Sequence, residues 1–99
     1  MSILEELLDK GFEVIFVGVF AEGLDKSWLG RRLDEEAIKE LLALRDRYDI
    51  SLVGEGGEYE TLVLDAPLYK SRLELVDYEI CWDGYTGVLK VLSARLVPK

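Results

Sequence analysis

Phe12-Glu13-Val14-Ile15-Phe16-Val17-Gly18-Val19-Phe20 carries a single charge, Glu13, and no polar alternation. A strand with one wet face alternates apolar and polar side chains; a run without alternation predicts a strand covered on both faces. This run therefore reads as the central strand of a small sheet. The longest uncharged apolar stretch, residues 14–21, is far short of the roughly 20 residues that a membrane-spanning helix needs.

The flanks support helices. Before the run, Ser2 can cap a short helix with Glu5 and Glu6 in its first turns, Ile3, Leu4, Leu7 and Leu8 on one stripe, and Lys10-Gly11 as its stop. After the run, Ala21-Glu22-Gly23-Leu24-Asp25-Lys26-Ser27-Trp28-Leu29-Gly30 is a long connection holding two glycines and an exposed-looking tryptophan. It lies beyond the carboxyl end of a buried strand, where open α/β sheets place ligands. Asp34, with Glu35 and Glu36 behind it, predicts a helix start. Ala37, Ile38, Leu41, Leu42 and Tyr48 recur at helical spacing, and Arg45 and Arg47 suit the last turn.

Farther on, Ser51 to Val53 is an apolar lead-in and Leu62 to Leu64 a short strand stopped by Asp65-Ala66-Pro67. Residues 72–82 alternate in two phases, with a switch at Val76-Asp77 that predicts a bulge. Asp83-Gly84 is a hairpin turn signal and residues 85–97 a return strand. The sum is an α/β (α+β) fold: a small mixed sheet of about four or five strands with two helices, ending in a long antiparallel hairpin. At 99 residues the chain is one domain.

Gly54-Glu55-Gly56-Gly57-Glu58-Tyr59-Glu60-Thr61 packs three glycines and three glutamates into eight residues. Glycines at 54, 56 and 57 allow close backbone approach. The carboxylates crowd negative charge that a bound cation or metal would relieve; a solvated turn with incidental acids is the plainer alternative. No Gly-Lys-Ser/Thr follows, so this is not a Walker loop, and the acidic spacing is not that of an EF-hand. Magnesium held by two of these carboxylates remains open.

Composition removes other classes. Hydrophobic residues are 49% and charged residues 32%, a globular balance, and the formal net charge is −8. Such a chain repels phosphate backbones and anionic lipid, so neither nucleic acid nor membrane is an expected partner. There is no histidine, which excludes serine–histidine and cysteine–histidine catalysis. The one cysteine, Cys81, lies in an apolar run and reads as a core residue. No intramolecular disulfide can form, and no signal-peptide pattern follows Met1; a cytoplasmic setting is expected.

The glutamate–glycine stretch, followed by Leu64-Asp65-Ala66-Pro67, closely resembles the C-terminal signature of the diphthine–ammonia ligases. Gly23-Leu24-Asp25 and then Trp28-Leu29-Gly30 resemble that family's upstream segment in matching spacing. The likeness covers nearly the whole chain and is strongest to archaeal members. It implies an enzyme that completes diphthamide on translation elongation factor 2, in which ATP activates the carboxylate of diphthine as an acyl-adenylate and ammonia displaces AMP. It implies an N-terminal nucleotide-binding domain with a serine- and glycine-rich loop that holds ATP, with Mg beside it. No Ser-Gly-Gly-Lys-Asp-Ser-like loop occurs in this sequence. The chain is thus expected to be the substrate-side C-terminal domain, without its nucleotide-binding partner domain and without ligase activity or cofactor of its own, whether cut from a parent or free-standing.

Diphthine bears a quaternary ammonium group, which aromatic faces and carboxylates hold. The expected substrate-binding residues are Glu55, Gly56, Gly57, Glu58, Tyr59, Glu60, Thr61 and Trp28. Glu58 and Glu60 are favoured, being nearest a rigid strand. Beside this stand plainer readings: Trp28 as a packing residue, Tyr59 as a loop anchor, Asp65 as a turn cap. Expected partners are the missing domain and diphthine-bearing elongation factor 2. Self-association through an uncovered face is also open, as is a binding or oligomerisation module without catalysis.

Overall fold

Strand β1 (Glu13–Val19) forms where the apolar run predicts it, and the computed structural model, which describes residues 3–48 and 58–99, builds the fold around it. Val14, Ile15, Phe16 and Val19 are all buried, so both faces are covered. A register shift between Phe16 and Gly18 changes the alternation phase. Phe16 and Val19 consequently face the same core despite being three positions apart.

Two helices cover one face. Helix α1 (Ile3–Asp9) ends in a Schellman motif: the Phe12 N–H donates to the Leu7 carbonyl at 3.0 Å and the Gly11 N–H to that of Leu8 at 3.1 Å. Gly11 takes φ +83° there, the left-handed conformation that glycine adopts at little cost. Helix α2 (Glu35–Tyr48) starts at Asp34, whose Oδ1 accepts the Ala37 N–H at 2.7 Å. Ala37, Ile38 and Leu41 from α2 and Leu4 from α1 enter the core with Val14, Phe16 and Val19.

The sheet contains β1, β2 (Tyr59–Asp65), β3 (Ser71–Trp82) and β4 (Gly87–Pro98) in the order β2-β1-β4-β3. The expected fold class, two helices and closing hairpin are present. Every pairing among the described residues is antiparallel, whereas a mixed sheet was expected. The reason is the path after β1. Residues 30–33 run back along its edge: Gly30 N–H donates to Phe16 O at 2.7 Å, Phe16 N–H to Arg31 O at 2.9 Å, and Leu33 N–H to Val14 O at 2.8 Å. The chain therefore enters α2 from the amino end of β1. After that helix, β2 starts at the carboxyl end of β1 and runs antiparallel to it.

Strand β2 is longer than its expected 62–64 core, because Tyr59 and Glu60 pair with Val19 and Gly18. The lead-in at residues 51–53 lies outside the described residues. The hairpin has its bulge at Asp77 and its turn at Asp83. Asp83 Oδ1 accepts the N–H groups of Tyr85 at 2.8 Å and Thr86 at 2.7 Å, and Gly84 has φ +99°. The hairpin is held at both ends. Near its turn, β4 pairs with β1 through only Gly18↔Val88 and Val19↔Gly87. At its open end, Arg72 reaches Glu13 at 2.5 Å and Lys99 reaches Asp65 at 2.9 Å. In between, Tyr78, Val91 and Leu96 stay exposed.

Cys81 corrects its expected core position: it is exposed. β3 is an edge strand with weak cover, so an apolar run there does not imply burial. No described helix is long and apolar enough to cross a membrane.

Two glycines separate a costly substitution from a cheap one. A Cβ on Gly87 would sit 2.7 Å from the Trp82 ring, 2.9 Å from the Cys81 carbonyl oxygen and 3.0 Å from Leu29 Cδ1. One of those neighbours is backbone. A Cβ on Gly18 would meet chiefly the rim of the Phe20 ring at 2.8 Å, a half-exposed side chain that can swing away. Gly87→Ala is expected to lower stability by roughly 1–3 kcal/mol and Gly18→Ala by less than about 1 kcal/mol, read from urea unfolding. Equal losses would refute this account of the two contacts.

Candidate functional site

One buried ring joins the two sequence motifs. Phe16, with no solvent exposure, meets Trp28 edge-on at 5.2 Å between centroids and Tyr59 at 5.5 Å. Trp28 comes from the 23–30 segment and Tyr59 from the glutamate–glycine motif. Asp25 sets the first of these: its Oδ1 accepts from the Ser27 N–H at 2.9 Å and from the Ser27 hydroxyl, starting the 3-10 turn Lys26–Trp28 that swings the indole inward.

Trp28 is 4% exposed, which corrects its exposed look in the sequence. The Arg31 guanidinium carbon lies 4.4 Å from its ring centroid, and Arg31 is paired with Glu40. The cation–π partner of this indole is thus the chain's own arginine. Tyr59 is 5% exposed. Burial, then the neighbouring Glu58 carboxylate, pushes its phenol up to about 12. Both aromatic candidates are core residues in this fold.

The acids lie outside that core. The Glu58 carbonyl oxygen accepts the Phe20 N–H at 2.8 Å, fixing the start of β2 to the end of β1. Glu58 itself is half-buried, with Oε2 shielded from solvent. Glu60 and Thr61 are exposed; Glu60 pairs with Gly18, beside the Phe20 ring that lies over that glycine. Glu55, Gly56 and Gly57 lie outside the described residues. Asp65 caps its turn as the plainer reading had it, accepting the Ala66 N–H at 2.9 Å. A hydrogen bond from Lys99 holds its carboxyl below the usual range.

The same end of the molecule holds groups that the sequence reading passed over. The 21–25 loop faces the β3–β4 turn across a cleft of about 280 Å³, lined on the turn side by Trp82, Gly84 and Tyr85. The Asp83-Gly84 turn signal was legible, but its position opposite residue 22 depends on the strand order.

At the start of α2, where a phosphate could otherwise sit, the Asp34 carboxylate already accepts the Ala37 N–H and Glu35 and Glu36 follow. No three acidic, cysteine or histidine side chains converge on a metal position among the described residues.

Residues 1–97 match the family model described as "Diphthamide synthase C-terminal domain". The chain is 44% identical over 79 residues to the diphthine–ammonia ligase of Schizosaccharomyces pombe (strain 972 / ATCC 24843), covering 80% of this chain and 13% of that protein. It is 40% identical over 96 residues to the diphthine–ammonia ligase of Mus musculus, covering 96% and 36%. With the Homo sapiens enzyme of the same name the identity is 35% over 80 residues, covering 80% and 30%. The chain therefore spans between about an eighth and about a third of the length of these relatives.

The Tyr59 environment has a measurable signature. Its phenol is neutral in the fold, pushed up from the ordinary 10.0 to about 12 by burial and then by the Glu58 charge. A raised pKa contributes stability that is complete below pH 10 and disappears as pH climbs through about 12. The difference in ultraviolet phenolate absorbance between wild type and Tyr59→Phe should appear only near that upper value. A difference centred at pH 10 would show the ring to be in water.

Proposed function

The chain belongs to the diphthamide synthase C-terminal domain family, and on that footing we propose that it is the substrate-side domain of a cytoplasmic, ATP-dependent diphthine–ammonia ligase. In that enzyme the diphthine side chain of elongation factor 2 is amidated to diphthamide. ATP, with any accompanying Mg, is bound by another part of the ligase, and this domain supplies one wall of the cleft in which the diphthine carboxylate reacts.

The observation that carries this reading is the seating of the glutamate–glycine motif. Its second half is the first part of a rigid strand, pinned from below by Tyr59 on Phe16. Glu58 and Glu60 are held at the end of β1 while the glycines precede them. A rigid strand holds these carboxylates in fixed positions along one wall of the cleft. Trp28 acts from beneath, as support for the 23–30 segment. The exposed Tyr78, Val91 and Leu96 on the hairpin support a covering contact from the nucleotide-binding part of the ligase.

In a full-length ligase that carries this domain, Glu58→Gln and Glu60→Gln are expected to reduce kcat/KM for diphthine-bearing elongation factor 2 by about tenfold or more, ~1.4 kcal/mol each. Unfolding midpoints should stay near wild type. Wild-type turnover in both variants would remove the motif from the site.

The 99-residue chain alone should release no AMP from ATP in the presence of that substrate and ammonia. Mass-spectrometric detection of AMP above a protein-free control would overturn the division of labour.

A further inference from the structure

We propose that the cleft between the 21–25 loop and the β3–β4 turn seats the quaternary ammonium group, with Trp82 and Tyr85 as its aromatic wall and Glu22 and Asp25 as its counter-charge. This rests on the reading of diphthine as substrate and moves the cation onto residues outside the 54–61 motif.

A cation–π contact needs an aromatic face open to the ligand. Trp28 and Tyr59 offer none, since both are buried against Phe16. At the same end of the sheet, Trp82 is half-buried and Tyr85 is 84% exposed, and both line this cleft. Opposite them stand Glu22 and Asp25, and no lysine or arginine is among the lining residues. Asp83, at the foot of the turn, adds a third negative charge; the Thr86 and Tyr85 N–H groups hold its carboxyl below the usual range.

The backbone of both walls is tied by its own hydrogen bonds. The loop is closed by the Leu24 N–H on the Ala21 carbonyl at 3.1 Å, and Asp25 is tied to Ser27. The turn is laced by Asp83, and the Trp82 ring lies over Gly87, where any Cβ would collide with it. Aromatic faces plus carboxylates select a cation that cannot donate a hydrogen bond over its neutral isostere. Glu58 stays close because its carbonyl accepts the Phe20 N–H, one residue before the loop.

The test uses the 99-residue chain with choline as probe and 3,3-dimethylbutan-1-ol as its uncharged isostere. Choline should shift the backbone amide resonances of residues 21–25 and 82–86 saturably, and the isostere should leave them in place. Tyr85→Ala should weaken choline roughly threefold to tenfold, while Tyr85→Phe, which keeps the ring, should bind as wild type. Glu22→Gln should weaken it and reduce the salt dependence. Equal shifts from both probes, choline shifts confined to other residues, or unchanged affinity in Tyr85→Ala would each overturn the proposal. The outcome is separable from the reading beneath it. Loss of ligation in Glu58→Gln without choline binding at the turn rejects only the cleft, whereas choline binding with full activity in both glutamine variants rejects only the motif.

Discussion

The fold depends on the Phe16 ring. It sits on the central strand, wholly buried, and takes one edge contact from Trp28 and another from Tyr59. Each such pair contributes about 0.5–1.5 kcal/mol beyond its area. Their larger effect is geometric. Two segments 31 positions apart in the chain are fastened to the same ring, which puts the end of β1, the 21–28 connection and the start of β2 at one end of the sheet. Polar groups on those segments are then carried to a common rim without needing to contact one another.

The second constraint is the return of residues 30–33 along β1. By occupying that edge they limit β4 to two paired residues and force the hairpin to attach by its ends. Arg72 on Glu13, with Arg32 at 2.9 Å from the same carboxylate oxygen, closes the open end. Because those groups are partly exposed, such pairs add little stability alone; they orient an arm already anchored by Leu89 in the core. The arm carries its turn to the rim where the two motifs meet.

The arrangement separates two kinds of aromatic residue. Trp28 and Tyr59 sit inside the motifs and are spent on packing, one of them capped by Arg31. Trp82 and Tyr85 lie outside the motifs and stay accessible. The acids behave differently. A carboxylate has no favourable place in the core without a partner, so Glu22, Asp25 and Glu60 end at the surface wherever the chain passes the rim.

Much of this was legible in one dimension. The unbroken apolar run specified a doubly covered strand; Asp34 and Lys10-Gly11 marked helix boundaries; Asp83-Gly84 marked the hairpin, and the phase switch at Val76-Asp77 its bulge. Those signals are local, acting within a turn or along one strand, so neighbouring residues suffice to read them. The packing role of Trp28 was legible as well, whereas the direction of β2, the burial of Tyr59, the exposure of Cys81 and the meeting of residue 22 with residue 85 were not. Each depends on which edge of β1 is already taken, and that is decided by hydrogen bonds between residues distant in the chain. Periodicity states that a side chain is apolar; only the packed sheet states whether anything covers it.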